Sequence, residues 1–588
     1  MAGLFENLTS LLIYRGPKKE GFELLEDQSE PTSFTQEQDL DGAPAEEGSR
    51  ELRRSREKKS PLPISKPKDA AREKNGAKQA AGKTVSTDLR ANLAKVGEEF
   101  NLDRNKDVVV REFKVAKTHD AFILYIDGMV NKDIIGNLIL RQLMTPEHFA
   151  GAKVKDLLDY ITDNVISVNH IIRFDYFEDI FQMVLNGFTA VFIHGYDAAL
   201  LVETVGFEKR NVEKPVAENV IRGSQEGFTE NLATNIALVR RIIRNKNLTT
   251  EILPVDKTGH TQCAMMYVTG LTNPALIREV KRRLKSLNID FIASSGVLEE
   301  LIADDPCTIF LQISTTERPD MAAWQLMKGK VVIIVDGTPY AAAVPSSFYE
   351  GLISPEDINL KWPYGIFLRV IRYIALMLSI FLPGLYIALT LYHQEMIPPE
   401  LLNSIVASRE QVPFPTFFEI VLMEISFELI REAGIRVPGI IGNTLGIIGA
   451  LILGQAAVAA DLVSPILIII VALGGLGNFA IPSFSIAFSA RIQRFAFILL
   501  GGIAGFYGIA AGIFVLGCKA CSTKSFGVPQ FVPAAPATRK DMDIIFVRPD
   551  FENKTRPDFV NALDKTSQGK LTRGWIKKRG GSGDAQGR

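Results

Sequence analysis

The chain has 588 residues, 66 Lys and Arg against 67 Asp and Glu, and an apolar content of 47%. That length allows several domains, and the average fits no single class because it hides a contrast between two parts. Four cysteines in such a length exclude a disulfide framework, and none is in paired spacing ahead of the apolar part, so a reducing compartment is expected there.

Residues 1–16 carry Leu4, Leu8, Leu11 and Leu12 at helical spacing, which reads as a short amphipathic helix or as a frayed terminus. No basic leader or small-residue cleavage site accompanies them, so a signal peptide is not expected and the first part is assigned to the cytoplasm. From Lys18 to Lys83 the composition is polar and charged, acidic over Glu23–Glu47 and basic over Arg50–Lys83, and cannot bury enough apolar area to offset ordering entropy. Residues 1–104 are therefore expected to be a mostly disordered tail.

Beyond Asn105, β-branched and aromatic runs alternate with amphipathic helices, the pattern of α/β units. Strands are expected at Ala121–Ile126, Ala190–His194, Leu200–Val205, Cys263–Val268, Ile309–Ile313 and Val331–Val335. Asp336-Gly337 signals a hairpin. One helix is expected over Gly227–Arg244. Another opens at Asn273, with Pro274 at its first position and Lys281, Arg282, Arg283 and Lys285 toward its end. The polar stretch Lys246–Gly259 divides the region into subdomains over 105–245 and 246–350.

From 361 to 517 the chain is dense in apolar residues, and a helical, polytopic membrane domain is expected. Ile366–Tyr392, Gly439–Ala460 and Phe495–Gly517 are long enough to span, and Leu462–Phe479 is a shorter fourth. Phe414–Ile430 contains Glu419, Glu424 and Glu428, which places it as an interfacial or re-entrant helix or one lining an aqueous path. Basic residues at Lys361, Arg369 and Arg372 and beyond Arg539 put both ends inside, with 518–588 as a basic cytoplasmic tail. Four spans are therefore expected, although they leave Arg491 and Arg494 outside; a fifth through Phe414–Ile430 would bring those two inside but send the basic tail out. Pro383-Gly384, Pro465 and Pro482 are expected to interrupt helices and free backbone carbonyls. Gly442, Gly446, Gly501, Gly505, Gly508 and Gly512 are spaced for close helix packing or a narrow pore wall. Asn443, Gln455, Asp461 and Asn478 join the three glutamates as candidates for an ion path; Glu424 and Glu428, one turn apart, either face cations or pair with Arg431 and Arg436.

Catalytic signatures are missing: there is no GxxxxGK[ST], HExxH or GxSxG, and no histidine cluster. Cys518 and Cys521 form a lone CxxC, short of the four ligands of structural zinc. The basic clusters at Arg240–Arg244 and Lys281–Lys285 sit at helix C-termini without interleaved aromatics, so nucleic acid is not expected as a partner. No catalytic site, metal or cofactor is assigned.

The stretches AFILYIDGMVNKDIIGNLILRQLM, TERPDMAAWQLMKGKVVIIVDGTPYAAAVPSSF and IPPELLNSIVASREQVPFPTFFEIVLMEISFELIREAGIRVPGIIGNTLGIIGALILGQAAVAA resemble the A subunit of GerA-type spore germination receptors. The likeness runs from Asp107 to Pro529; Ser224-Gln225 departs from the Pro-Arg commoner in that family. The resemblance implies a multi-pass protein of the spore inner membrane that works with a transporter-like B subunit and a lipoprotein C subunit. It also implies a homo-oligomer whose membrane helices enclose an ion path opened by germinant. The alternatives are a membrane-anchored scaffold subunit and a family paralogue that amplifies germination by ion release without sensing nutrients.

Overall fold

The computed structural model describes residues 84–149, 156–206, 215, 218, 220–436, 449, 452–538, 541–549 and 551–569. The tail expected over 1–83 and the positions Gly442, Asn443 and Gly446 lie outside them. Helix α1 (Leu89–Phe100) falls inside the stretch expected as disordered up to 104. Asp88 caps it by accepting from Arg90 N, and Val96 and Phe100 bury on the first sheet.

That sheet holds β1 (Val108–Val115), β2 (His119–Ile126), β3 (Ile171–Phe174), β4 (Phe188–Ile193) and β5 (Ala199–Glu203) in the order β1-β2-β4-β5-β3, every pair antiparallel. Alternate residues of β2 enter opposite cores. Ala121 and Ile123 meet the helical turns between Ile135 and Val165, while Phe122, Leu124 and Ile126 meet α1 and α2 (Phe177–Val184). Burial on both faces is why these strands read as unbroken apolar runs.

The second unit repeats the plan. Its strands β6 (Leu248–Pro254), β7 (Gln262–Val268), β8 (Ser314–Thr316), β9 (Val331–Val335) and β10 (Ala341–Val344) pair in the antiparallel order β6-β7-β9-β10-β8. The helix expected over Gly227–Arg244 is α3 (Leu232–Ile242), and its Leu232, Ile236 and Val239 pack on this second sheet together with α6 (Pro319–Met327). The boundary placed at 245 therefore falls inside the second unit, and the polar stretch taken as a break holds edge strand β6. Helix α4 (Pro274–Lys285) starts at the expected cap, Asn273 accepting from Ala275 N, and packs on the other face with α5 (Ser295–Ile302). The run Ile309–Ile313 is not a strand; pairing begins at Ser314. The hairpin after β9 turns at Gly337 with φ +80°.

Arg240, part of the basic cluster expected at a helix C-terminus, is fully buried and joins the two units. Its guanidinium donates to both Asp107 oxygens at 2.5 and 2.8 Å and to Asn105 Oδ1 at 3.0 Å. The short hairpin of β11 (Lys524–Ser525) and β12 (Val528–Pro529) follows the last long helix. It and the chain behind it carry Phe526, Val528, Val532, Ile544, Phe559 and Val560 into the core that holds Met265, Val280 and Ile333. Much of the stretch expected as a free basic tail is thus part of the second unit.

The bundle comprises α7 (Trp362–Tyr392), α8 (Pro399–Arg409), α9 (Thr416–Arg436), α10 (Pro465–Phe479) and α11 (Phe484–Ser522). Among the described residues, α7 and α11 are long and apolar enough to cross a membrane. The segment expected as interfacial or re-entrant is a full helix of 21 residues, α9, about 31 Å at 1.5 Å per residue. The continuous span expected over Phe495–Gly517 breaks at Gly505, whose φ of +60° and ψ of −138° are not helical. Its two limbs fold back on each other: Gly508 meets the Leu500 carbonyl, and a Cβ on Gly512 would lie 2.7 Å from a Leu500 methyl and 2.8 Å from the Phe497 ring. Both ends of the hairpin return to one loop of the second unit, where Lys519 Nζ meets Asp305 at 2.5 Å and Phe484 shares a cleft with Asp305 and Phe310.

The hairpin tip is strapped by α7. Tyr392 Oη donates to the Gly502 and Ile503 carbonyls at 2.8 and 2.9 Å, and the His393 ring stacks on Phe506. Gly505→Ala is expected to lower stability by about 1–3 kcal/mol, since a side chain rarely adopts this backbone conformation. Its added Cβ would also sit 3.0 Å from Tyr392 Cβ. The thermal unfolding midpoint of the detergent-solubilised chain measures the loss.

Candidate functional site: a buried charge network among the long helices

Close backbone approach brings the helices together. A Cβ on Gly477 would lie 2.6 Å from the Ala375 carbonyl oxygen, and one on Gly501 2.6 Å from that of Gly384. Glycine is thus what lets α10 and α11 lie directly against α7. Within α7, Pro383 has no N–H for the carbonyl of Ser379, four residues earlier. The helix nevertheless runs on, because Arg494 Nε donates to that oxygen at 2.7 Å.

Arg494 is the centre of the bundle. Besides Ser379 O, it donates from Nη2 to Ser379 Oγ at 2.8 Å and to Gly474 O at 3.1 Å, and from Nη1 to Glu424 Oε2 at 2.8 Å. One guanidinium on α11 thereby ties α7, α9 and α10. Glu424 is fully buried and Arg494 nearly so. A charge pair in that setting needs such saturation, since desolvation otherwise outweighs the attraction. One turn along, Glu428 pairs with Arg491 at 2.9 Å, and the Arg491 guanidinium lies 4.6 Å from the Phe488 ring centre. Asn478 completes this end: with its amide turned so that both ends are satisfied, Nδ2 donates to Ala487 O at 2.8 Å and Oδ1 accepts from Arg431, whose guanidinium lies over Phe479.

Toward the far end of α9, Glu419 is fully buried, accepts from Ser464 N at 3.1 Å and lies 3.3 Å from Arg409 Nη2. At the near end, Asp357 receives Arg372 at 2.6 Å and Arg369 at 3.4 Å, and Arg369 also donates to Ile544 O at 3.0 Å. The start of α7 is therefore clamped to the C-terminal segment of the second unit.

Glu424, Glu428 and Asn478 thus gather around Arg494, Arg491 and Arg431, while Glu419 pairs separately with Arg409, so each has a basic residue at hand. Gln455 and Asp461 are exposed and stand apart from it, Asp461 in a turn at φ +54°. Gly501 and Gly505 serve approach and turn, and Gly508 and Gly512 admit the second limb. Pro383 does not end its helix, and Pro465 opens α10 instead of interrupting it. Sequence reasoning missed Ser379, Arg409, Gly474 and Arg494 as partners. A signal existed: three carboxylates at membrane depth require cations, and Arg409, Arg491 and Arg494 are basic residues of the apolar part left without an assigned partner.

At the junction with the second unit, Glu299 lies in a cleft of about 470 Å³ walled by Phe310, Phe484, Phe488 and Ile492. Burial pushes its carboxyl up to about 7 from 4.5. The folded chain then holds a proton that the unfolded chain has released, so this group's contribution to stability falls as pH rises from about 4.5 to about 7. Glu299→Gln is expected to remove that fall, read as the difference between the two chains' unfolding midpoints across this range.

A family model described as Bacillus/Clostridium GerA spore germination protein matches residues 95–559. The chain belongs to the GerA family. Spore germination protein KA of Bacillus subtilis (strain 168) is 36% identical over 513 residues, covering 86% of this chain and 93% of that protein. Spore germination protein GerLA of Bacillus cereus is 35% identical, covering 82% and 98%. Among solved structures, the N-terminal domain of the A subunit of the Bacillus megaterium spore germinant receptor GerK3 matches with 29% identity and a TM-score of 0.36, over 44% of this chain and 95% of that one. In this GerA-family chain the charge network lies wholly within the matched residues.

Proposed function

We propose that this GerA-family chain is the A subunit of a nutrient germinant receptor in the spore inner membrane, assembled with B and C subunits. In this reading both α/β units face the cytoplasm. The chain crosses the bilayer six times, through α7, α9, the stretch ending near Ala460, α10 and the two limbs of α11. An even count keeps both ends inside, as the basic residues require, and sets Arg491 in the cytoplasmic half, which removes the conflict that four spans created. Copies of the chain surround an ion path that opens when germinant is sensed. Family membership over residues 95–559 carries the receptor reading.

The test is potassium release from liposomes holding the chain with its B and C subunits. Germinant-triggered release is expected, and a verified complex that stays silent removes the conduit. One observation favours the scaffold alternative: Glu419, Glu424 and Glu428 each have an arginine of the same chain beside them. They are then fasteners, not ligands for a passing cation. Replacing Gly442, Gly446 or Asn443 by a bulky residue separates the readings, since altered flux with intact assembly supports a path through this chain and lost assembly alone supports a scaffold.

A further inference from the structure

Four helices meet at the far end of the bundle around side chains whose polar atoms lack hydrogen-bond partners among the described residues. Tyr386 Oη comes from α7, Arg409 Nε from the end of α8, Thr416 Oγ1 and Glu419 Oε1 from the first turn of α9, and Ser464 Oγ from the residue that precedes α10. Thr416, Glu419 and Ser464 are fully buried and Tyr386 is 7% exposed. Tyr386 lies beside Ser464, near the charges of Arg409 and Glu419, and shares its apolar surround with Ile420, Val463 and Leu467. Ser464 holds the N-cap position of α10 without capping it.

A partner for these atoms must both donate and accept. Glu419 Oε1, 3.3 Å from Arg409 Nη2 without a hydrogen bond to it, offers an acceptor, Arg409 Nε a donor, and the three hydroxyls either role. A bare cation would meet Arg409 and the positive ends of α9 and α10, while an anion would meet Glu419. Water satisfies all five groups, and a buried water needs two to four such partners. Arg409, one-quarter exposed, also borders a cleft of about 580 Å³ lined by Thr390, Gln394, Asn403 and Glu410. Deeper in, Ile387, Ile420, Met423, Leu467 and Val471 form a buried apolar layer. Beyond it lies the Arg494 node.

We infer that Tyr386, Arg409, Thr416, Glu419 and Ser464 enclose a water-filled vestibule, entered beside Arg409 from the face of the membrane opposite the α/β units and ending at this apolar layer. The inference rests on the membrane-spanning reading of the helices and not on conduction.

The test uses the full chain with its partner subunits in sealed vesicles. Ser464→Cys and Thr416→Cys are exposed to a charged, membrane-impermeant methanethiosulfonate added on the face opposite the α/β units, with Val471→Cys in the apolar layer for comparison. Modification about tenfold faster at 416 and 464 than at 471 is expected of hydrated positions. Equal rates overturn the vestibule. Should either variant fail to fold, hydroxyl radicals generated from bound water by X-rays report on the unaltered chain. Tyr386 is expected to oxidise well above Tyr267, which is 1% exposed in the second sheet; protection equal to that of Tyr267 overturns the inference. Neither readout involves germinant or flux, so a chain that labels but does not conduct loses the conduit and keeps the vestibule.

Discussion

Arg494→Met is expected to destabilise the helical bundle by about 3–5 kcal/mol, because it leaves a buried carboxylate without its cation. Glu424 has Arg494 as its only ion-pair partner among the described residues. The substitution also returns Ser379 O to the state of a carbonyl freed by Pro383, with Ser379 Oγ and Gly474 O losing a donor. Chain abundance in the membrane fraction and the unfolding midpoint in detergent measure the loss. The double change Arg494→Met with Glu424→Met is expected to recover much of it, since replacing both members of a buried pair by apolar groups is often near neutral. If the single variant is as stable as the parent, the guanidinium is not what holds α7, α9 and α10 to α11.

Ending the chain after Ser522 is expected to unfold the second α/β unit, although every strand of its five-stranded sheet precedes the cut. Phe526, Val528, Val532, Ile544, Phe559 and Val560 fill one face of that core. Burying each is worth roughly 1.5–3 kcal/mol, and six of them match the whole stability of an ordinary domain, about 5–15 kcal/mol. Limited proteolysis checks this: sites between Leu248 and Val344 should open in the truncated chain. They should stay protected in a chain ending at Gly569, which keeps all six side chains. The physical consequence is mechanical coupling. The last limb of α11 is held to the second unit by this returning segment and by Lys519 to Asp305, and the first turns of α7 by Arg369 to the Ile544 carbonyl of the same segment, so motion of either helix must strain the same unit.

How much of this was legible follows from the range of each interaction. Central strands such as β2, β7 and β9 are buried on both faces and announce themselves as apolar runs. The cap at Asn273 with Pro274 places α4 to the residue, because both effects act within one turn. Edge strand β6 was read as a break since it carries Thr249, Thr250 and Glu251, and their burial depends on neighbours far along the chain. The run Ile309–Ile313 has strand composition, yet Gln312 holds the backbone at Asp304 and Asp305 in a loop. In the bundle, hydropathy located apolar helices but could not detect a turn that one glycine makes at Gly505.

The amino-acid order by itself determined the division into an α/β region and an apolar helical region, the positions of most central elements and the family, because periodicity, caps and long motifs are local properties. Only the tertiary structure decided that α3 belongs to the second sheet, that the C-terminal segment completes that sheet's core, and that Arg494 serves both Glu424 and the carbonyl exposed by Pro383. Arg494 lies 70 positions from Glu424 and 115 from Ser379. No local pattern records such pairings, since a buried charge or an open core face states that a partner is needed without stating which part of the chain supplies it.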